Sequence, residues 1–244
     1  MLMVWTFPTK ELNPMPVAVI TGASRGLGAA LAHELDVRGW DLVVDARDAD
    51  ALSAAIGDAR THGFPGDVLD PAHRQQLADA AASLGGADLL VNNASTLGAS
   101  PLPALADLAE ETLLETLRVN LVAPHLLTRL LLPQLLANRG VVLNVSSDAS
   151  VEPYEGWGGY GSSKAALDHL TRILGAEQPG LRAYAFDPGD MRTQLNQDAY
   201  PGEDISDRAE PATVVPHLLA LVESDLPSGR YRAADIPVPE AATS

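Results

Sequence analysis

The sequence of 244 residues contains no cysteine. Disulfide bonds, thiolate metal sites and catalysis by a thiol nucleophile are therefore excluded. No metal site is predicted from the residues that remain.

Basic residues are also scarce, with 16 lysines and arginines against 32 acidic residues and a formal net charge of -16. Binding to the phosphate backbone of nucleic acids depends on clustered basic side chains. The sequence has no such cluster, so nucleic acid is not an expected partner.

Long apolar runs are missing as well. The most apolar long segment, 126–136, is interrupted by Arg129 and Pro133 and is shorter than the roughly 20 residues that a membrane span needs. The predicted amino-terminal extension, 1–16, carries Lys10 and Glu11 but no apolar core of a signal peptide. We therefore expect no membrane partner and a cytoplasmic location.

The composition is that of a folded protein, since 46% of the residues are apolar and 20% are charged. Short apolar runs alternate with segments of helical spacing, which predicts an α/β fold with a parallel sheet. We predict one domain over 17–235, with a substrate lid over 190–210 and a tail over 236–244. Helices are predicted over 49–60 and, from the leucine spacing, within 105–139.

A glycine-rich turn follows the first apolar run, Val17–Ile20, and precedes a helical segment. Gly22 permits a tight turn, Gly26 lets backbone N–H groups approach a pyrophosphate, and Gly28 lets the helix pack closely on the strand. This pattern predicts a dinucleotide site. The alternative is a tight loop that binds nothing.

Cofactor choice depends on the end of the second predicted strand, 41–47, about 20 residues after the glycines, where the ribose is recognised. Asp45 is an NAD-type acid if it ends the strand. Ala46 followed by Arg47 would instead accept a 2′-phosphate. The sequence does not decide which residue ends the strand. In a third interpretation, Asp45 and Arg47 bind no cofactor and are only solvated polar residues at the strand end.

Further polar residues follow other predicted strands. Asp67 and Val68 come after a Pro-Gly turn, where Asp67 could contact adenine, and Asn92, Asn93 and Ala94 end an apolar run. Ligands bind at the carboxyl ends of strands in open parallel sheets, although asparagine is also a common turn residue.

An asparagine lies inside the apolar helical segment, at position 120. Pro124 and Pro133 each remove a helical hydrogen bond and are expected to bend the segment, which leaves a carbonyl group free to bind water. Asn120 either serves that bend alone or has a function as well.

Tyr160 and Lys164 are separated by one helical turn and so share a face. A tyrosine has an ordinary pKa of about 10, so proton transfer near neutrality needs a neighbouring positive charge that favours the phenolate. Ser147 ends a predicted strand 13 residues earlier and could meet Tyr160 over one cleft. The alternative is a half-buried tyrosine beside a solvated lysine.

Taken together, the chain resembles the short-form short-chain dehydrogenase/reductase family over about 17–233. The resemblance rests on the following residues and their order: Thr21, Gly22, Gly26, Gly28, Asp67, Asn92, Asn93, Ala94, Asn120, Ser147, Tyr160, Lys164, Pro188, Gly189 and Thr193. It implies a single-domain, doubly wound Rossmann fold, with a parallel sheet of about seven strands and helices on both faces.

The resemblance also implies roles for the catalytic residues. Tyr160 is the general acid/base, Ser147 orients the carbonyl or hydroxyl group, and Lys164 lowers the pKa of Tyr160 and holds the nicotinamide ribose. Asn120 supports a water in the proton relay. The expected cofactor-binding residues are Thr21, Gly22, Ser24, Arg25, Gly26, Leu27, Gly28, Ala46, Arg47, Asp67, Val68, Asn93, Ala94, Tyr160, Lys164, Pro188, Gly189, Met191 and Thr193.

NADP is the preferred cofactor by this resemblance, because family members that use NADP commonly place a small residue and then arginine at the end of the second strand. Ala46 and Arg47 match that pattern, and Arg25 matches the basic residue of their glycine turn. Ser95 departs from the family pattern, in which glycine follows Asn-Asn-Ala, and it narrows the room beside the cofactor.

The carboxyl-terminal signature departs too, with Ser228-Gly229-Arg230-Tyr231 in place of a glycine-rich sequence. A homodimer or homotetramer is expected, although this terminus puts the tetramer in question.

Two other functions are considered: a dinucleotide-sensing regulator without turnover and a nucleotide-sugar epimerase. Such an epimerase usually has a larger carboxyl-terminal substrate domain, and the residues after Pro188 are too few to form it. Tyr154, Trp157, Met191 and Leu195 indicate an apolar carbonyl substrate.

Overall fold

The computed structural model describes residues 15–57 and 60–238. Most of the predicted amino-terminal extension, 1–16, and the final part of the predicted tail, 239–244, lie outside the described residues.

The described residues form one sheet of seven parallel strands in the order β3-β2-β1-β4-β5-β6-β7. The doubly wound order, in which the chain moves outward from β1 in both directions, confirms the predicted fold. The strands are β1 Val17–Ile20, β2 Asp41–Ala46, β3 Thr61–Pro65, β4 Leu89–Asn92, β5 Val141–Val145, β6 Arg182–Asp187 and β7 Gly229–Arg232.

The helices connect these strands and cover both faces of the sheet. They are α1 Gly26–Val37, α2 Ala49–Ala55, α3 Pro71–Ser83, α4 Glu110–Leu117, α5 Ala123–Asn138, α6 Gly158–Glu177, α7 Gln194–Ala199 and α8 Pro211–Glu223.

Each face of the sheet has its own apolar core, because side chains alternate along a strand. Ala18 and Ile20 of β1 pack with α1 and α8. Val17 and Val19 of the same strand pack with α3 and α5. Both faces of the central strands are therefore buried, which explains their unbroken apolar runs.

The predicted helix over 49–60 is too long. Helix α2 ends at Ala55, and β3 begins at Thr61. Within the described part of the chain, strand β3 pairs only with β2 at the edge of the sheet, and its residues are exposed or half-buried. An edge strand of this kind needs no apolar run, so its sequence carries no strand pattern.

The helical segment within 105–139 is interrupted at Asn120. Between α4 and α5, residues Arg118–Val122 form a wider π-helical turn, in which the N–H of Ala123 donates to the carbonyl of Arg118. Pro124 follows and has no N–H, so the carbonyl of Asn120 lacks its usual α-helical donor. The bend is therefore at the predicted place, and Pro133 lies inside α5.

The continuous helical run Glu110–Asn138 has the length and apolar composition of a membrane span. In the structure α4 packs against α6 and α5 packs against α3. These contacts are those of a core helix within the domain, for which the same composition is ordinary.

Candidate active site

Four predicted catalytic residues meet above the carboxyl end of β5. Ser147 follows β5, Tyr160 and Lys164 lie in the first turns of α6, and Asn120 lies in the π-helical turn. Tyr160 is 6% exposed, Lys164 2% and Asn120 1%. The strand, the helix and the π-helical turn thus bring together residues that are up to 44 positions apart in the sequence, from 120 to 164.

The hydroxyls of Ser147 and Ser95 are close enough to the hydroxyl of Tyr160 to affect its pKa. Burial raises the pKa of Tyr160 well above its ordinary value, Ser147 and Ser95 lower it, and the charges of Asp187 and Asp148 raise it further. Burial dominates because a phenolate loses more hydration than a phenol does. In the protein alone Tyr160 is therefore a neutral acid.

Lys164 is the neighbouring cation, and its Nζ lies 5.4 Å from the centre of the Tyr160 ring. Nζ donates to the carbonyl of Val145 at 2.7 Å. Burial lowers the pKa of Lys164 to about 8, and the charge of Asp168 opposes that change. The resemblance implies that the lysine lowers the pKa of Tyr160, whereas in the protein alone burial holds that pKa well above its ordinary value.

The side chain of Asn120 is fully engaged by protein groups. Its Oδ1 accepts from the N–H of Thr96 at 2.9 Å and from the hydroxyl of Ser95 at 3.1 Å. Its Nδ2 donates to the carbonyl of Thr96 at 2.8 Å and to Oγ of Ser163 at 2.9 Å. The amide therefore ties the loop after β4 to α6, and only the main-chain carbonyl is suited to the predicted relay water.

Ser95 and Ser163 belong to this network, and the sequence alone assigns neither of them to it. In the sequence Ser95 stands out only as a departure that narrows the cofactor site. The structure instead places its hydroxyl between Asn120 and Tyr160. Ser163 carries no signal of its own, although it lies beside Lys164 on a helix that bears two predicted catalytic residues.

Ser147 also contacts the acid that follows it. Its Oγ donates to Oδ1 of Asp148 at 3.1 Å, and the hydroxyl of Tyr154 donates to Oδ2 of the same carboxylate at 2.9 Å. This hydrogen bond to Asp148, followed by the negative charge of the carboxylate, raises the pKa of Tyr154. This edge of the site is therefore acidic.

An apolar wall, formed by Trp157, Tyr200 and Leu195, lies beside Tyr160. The ring centres of Trp157 and Tyr160 are 5.5 Å apart, and those of Trp157 and Tyr200 are 6.0 Å apart. Tyr160 also packs in a small apolar cluster. The other members of the cluster are Leu97, Leu102, Ala149, Trp157, Leu195 and Ala199.

The glycine turn follows β1, at the same edge of the sheet as these residues, and is closely packed. Gly22 has φ +69°, and a side chain at Gly28 would place its Cβ 2.5 Å from Nδ2 of Asn93. That amide donates to the carbonyls of Thr21 and Gly22 at 2.9 and 3.0 Å. The hydroxyl of Thr21 accepts from the N–H groups of Asn93 and Ala94. Asn93 and Thr21 therefore hold the turn, with most of their polar atoms already used.

The residues present fit a dinucleotide. Helix α1 begins after Arg25 with no side chain capping its first N–H groups and no acid in its first turn, an arrangement suited to an anionic pyrophosphate. A cleft of about 600 Å³ lies beside it. Its lining includes Ser24, Arg25, Gly26, Arg192 and Thr193. Leu27, by contrast, is buried in the core.

The structure defines the register at the end of β2. Strand β2 ends at Ala46, and the exposed Arg47 follows it. Asp45 is 1% exposed and accepts from the N–H of Gly22 at 2.8 Å, while its other oxygen lies 3.0 Å from Nε2 of His73. Asp45 is thus a structural residue of the turn and not the terminal acid of the strand.

The predicted adenine-side residues lie nearby. Asp67 accepts from the N–H of Leu69 at 2.8 Å, which stabilises its own turn. Val68 and Ala94 line a small apolar cavity together with Val119.

The loop after β6 joins the glycine turn to the predicted lid. Oδ1 of Asp187 accepts from the N–H of Gly189 at 3.0 Å, which sets the Pro188-Gly189 turn. Thr193 caps α7 and would lie 3.3 Å from a Cβ at Gly26. Met191 is buried and forms a parallel bridge with Ala209.

The segment 190–210 is more ordered than its sequence indicates. It contains α7, and its two ends are joined by the Met191–Ala209 bridge and by an ion pair between Arg192 and Glu210. The apolar residues Leu195 and Ala199 of α7 pack towards Tyr160, so the helix has a buried face although it is only six residues long.

Arg230 is a further residue of the site that sequence reasoning missed. It lies on β7, and its guanidinium reaches the carbonyl of Ser147 at 3.1 Å. The only signal in the sequence is the departure from the family's glycine-rich terminus.

The family model for short chain dehydrogenases matches residues 16–204. The chain belongs to the short chain dehydrogenase family. It is 34% identical over 184 residues to serine 3-dehydrogenase from Agrobacterium fabrum, with 72% of each chain covered. It is 32% identical over 203 residues to sepiapterin reductase from Xenopus laevis, covering 74% of this chain and 75% of that one.

A solved structure gives the same result. The alcohol dehydrogenase from Thermococcus sibiricus, in complex with 5-hydroxy-NADP, superposes with a TM-score of 0.79 at 26% identity and covers 93% of this chain and 100% of that chain. This member of the short chain dehydrogenase family is accordingly an NAD(P)-dependent oxidoreductase that acts on CH–OH or C=O groups. That conclusion removes the sensing and epimerase alternatives.

Proposed function

We propose that this short chain dehydrogenase is an NADP-preferring enzyme that interconverts an apolar carbonyl compound and its alcohol, with Tyr160 as general acid/base. The observation that carries the proposal is the buried Tyr160 phenol, which lies beside the Lys164 ammonium and whose pKa the nearby Ser147 hydroxyl lowers against the larger effect of burial. A phenol placed between a hydroxyl group and a cation is suited to proton exchange with a substrate oxygen.

Each residue has one task in this mechanism. When bound, the nicotinamide cofactor would be the source or the acceptor of the hydride. Ser147 donates a hydrogen bond to the substrate oxygen as negative charge develops on it. Tyr160 gives its proton to that oxygen in reduction and takes it back in oxidation, while the positive charge of Lys164 stabilises the phenolate.

The proposed cofactor residues remain those that the sequence predicts. Lys164 would hold the nicotinamide ribose, the glycine turn and α1 the pyrophosphate, and Asp67, Val68 and Ala94 the adenine. Pro188, Gly189, Met191 and Thr193 would border the nicotinamide.

The preference for NADP is supported by Ala46, which leaves room at the strand end, and by the exposed Arg47 and Arg25. Arginine binds phosphate through two parallel hydrogen bonds. Arg47→Ala is expected to weaken NADPH binding by roughly tenfold or more while leaving NADH binding nearly unchanged, as measured by fluorescence titration. An equal loss for both cofactors would show that Arg47 does not select the phosphate.

The proposed substrate class follows from the wall of Trp157, Tyr200 and Leu195 and from the acid Asp148 beside Ser147. An apolar ring or chain gains from contact with that wall, whereas a carboxylate or phosphate near Ser147 would be repelled by Asp148. Neutral ketones, aldehydes, diketones and quinones are therefore expected to outperform anionic analogues.

A homodimer in the cytoplasm is proposed as the working form. Leu114 of α4, Val122 of the π-helical turn and Ile173 of α6 are 42–44% exposed, and burial of such residues between two copies would stabilise a dimer. Light scattering after gel filtration would measure the assembly, and Ile173→Glu is expected to shift it towards the monomer.

The decisive experiment measures NADPH and NADH consumption against a panel of neutral aldehydes, ketones, quinones and diketones. Tyr160→Phe is expected to reduce turnover by roughly a hundredfold or more with cofactor affinity almost unchanged. Tyr231→Phe, which removes a hydroxyl that donates to the carbonyl of Pro227, serves as the matched control. Substantial activity in Tyr160→Phe with a true substrate would remove Tyr160 from its proposed role.

A further inference from the structure

Arg230 joins three parts of the active site through one guanidinium group. Its Nε donates to Oδ2 of Asp168 at 3.0 Å, and its Nη2 donates to Oδ2 of Asp187 at 2.7 Å and to the carbonyl of Ser147 at 3.1 Å. The side chains of Arg230, Asp168 and Asp187 are 20%, 6% and 3% exposed. These are charge-assisted contacts in a largely dehydrated setting, where such bonds are strong and a missing partner is costly.

Each partner of Arg230 is connected to a reacting group. Ser147 carries the hydroxyl that meets Tyr160. Asp187 ends β6 and sets the turn of Gly189 through its other oxygen. Asp168 lies one helical turn after Lys164 and accepts from the hydroxyl of Ser150 at 2.6 Å. The guanidinium therefore fixes the ends of β5 and β6 relative to the middle of α6.

The arrangement depends on arginine in particular. A planar guanidinium presents several N–H donors in fixed directions, whereas a lysine ammonium is a single point of charge. Lysine at this position could compensate the charges of Asp168 and Asp187, but it could not hold all three acceptors with the same geometry.

The charges matter separately from the geometry. The groups that face Tyr160 are Lys164 on its own helix, Asp148 after β5 and Asp187 at the end of β6; Asp148 and Asp187 raise the pKa of Tyr160. Asp168 raises the pKa of Lys164. Arg230 forms ion pairs with both Asp168 and Asp187, and the other oxygen of Asp168, Oδ1, is buried without a hydrogen-bond partner among the described residues.

We propose that Arg230 is a positioning residue of the reaction: it holds the backbone of Ser147 against the turn after β6 and neutralises the carboxylates that adjoin Tyr160 and Lys164. The inference rests on the proposed role of Tyr160. Neither the family resemblance nor the relatives assign a role to this residue.

Arg230→Met and Arg230→Lys separate charge from geometry. With methionine, Asp168 and Asp187 are left uncompensated, so the pKa of both Tyr160 and Lys164 is expected to rise and both groups keep their protons to higher pH. The rising limb of kcat/KM for alcohol oxidation is therefore expected to move to higher pH. In Arg230→Lys, the rising limb of the pH profile of kcat/KM is expected to stay near that of the wild type, because the positive charge is retained. Its kcat is expected to fall roughly tenfold or more, because lysine cannot hold the three acceptors in the same geometry.

The experiment uses the full chain with NADP and the best alcohol found in the substrate panel. Arg232→Met, an exposed arginine on the same strand, is the matched control, and circular dichroism and NADPH binding establish that each variant is folded. A folded Arg230→Met with the pH profile and kcat of the wild type overturns the inference. If Arg230→Met does not fold, a folded Arg230→Lys decides, since wild-type kcat in that variant also overturns it.

The two proposals fail in different ways. A wild-type protein without turnover of any carbonyl or alcohol in the panel contradicts the proposed function. An active wild type whose Tyr160→Phe variant is inactive, and whose Arg230 variants are unaffected, contradicts only the role of Arg230.

Discussion

The glycine turn, 21–28, and the predicted lid, 190–210, touch each other at Gly26 and Thr193, yet they are held in different ways. Partly buried hydrogen bonds from Asn93, Thr21 and Asp45 fix the turn. The ends of the lid are joined by the exposed ion pair of Arg192 and Glu210 and by one short bridge. Hydrogen bonds shielded from water are costly to break, whereas exposed ion pairs are weak. The turn is therefore preorganised, whereas the contacts that join the two ends of the predicted lid are weaker.

The largest expected effect comes from overpacking the turn. In Gly28→Ala the new Cβ meets both Nδ2 of Asn93 and the carbonyl of Gly22 at 2.5 Å, so the variant is expected to lose about 2–3 kcal/mol of stability and most of its NADPH affinity. Thermal unfolding and NADPH titration measure the two losses.

Gly189→Ala is the matched control on the lid side. Gly189 has φ +72°, but a Cβ added there would meet no atom of the described residues within 4 Å beyond its own chain neighbours. Only backbone strain of about 1–2 kcal/mol is therefore expected. A greater loss in Gly189→Ala than in Gly28→Ala would reverse the proposed contrast.

The next effect comes from removing the amide that ties the turn. Asn93→Ala loses two hydrogen bonds, to the carbonyls of Thr21 and Gly22, and is expected to cost about 1–3 kcal/mol together with a loss of NADPH affinity. Asn138→Ala removes an equivalent pair, to the carbonyls of Gly86 and Ala87, at the opposite end of the sheet. Its stability should fall by a similar amount while NADPH affinity is retained, and equal affinities in the two variants would refute the link to the turn.

A smaller effect, on the binding of apolar substrates, is expected from replacing Trp157 of the apolar wall. Trp157→Ala removes ring contacts with Tyr160 and Tyr200, each worth about 0.5–1.5 kcal/mol beyond simple burial. The KM for apolar ketones should rise while NADPH affinity is unchanged, and Trp157→Phe should recover part of the loss. Steady-state kinetics with matched apolar and small ketones would show whether the wall contributes to substrate binding.

The smallest effect is expected at the base of the lid. Arg192 and Glu210 have side chains that are 47% and 49% exposed, so Glu210→Gln should cost at most about 1 kcal/mol, and less at high salt. Limited proteolysis of 190–210 at low and high salt measures this opening, with Glu223→Gln, which disrupts the exposed pair with Arg38, as control. Cleavage that does not depend on the charge of Glu210 would show that other contacts hold the lid.

Much of the fold was predictable because its signals are local. Strand β1, the glycine turn and α1 follow one another without interruption, and the buried central strands require apolar residues on both faces. Tyr160 and Lys164 are related by a single helical turn. Ser147 could be placed with them because the ends of parallel strands share one edge of the sheet.

The remainder depends on contacts between distant residues. Edge strand β3 has no apolar pattern because one side of it has no neighbouring strand within the described part of the chain. The inward orientation of Asp45 is determined by Gly22 and His73, which lie 23 and 28 residues away. The hydroxyl of Ser95 can bind Asn120 only because the π-helical turn brings Asn120 near it. Arg230 lies 83 residues after Ser147 in the sequence and contacts the carbonyl of that residue. No short sequence motif indicates contacts between residues that are this far apart.

The buried carboxylate of Asp45 has a consequence for how such an enzyme could diverge. Because Asp45 supports the glycine turn from inside the protein, that support does not depend on the side chains of the two residues that follow it, the buried Ala46 and the exposed Arg47. Substitutions at Ala46 and Arg47, the positions proposed to select the coenzyme, can therefore be made without removing that support of the turn. Redesign of coenzyme use in this protein would best begin at these two positions and leave Asp45 in place.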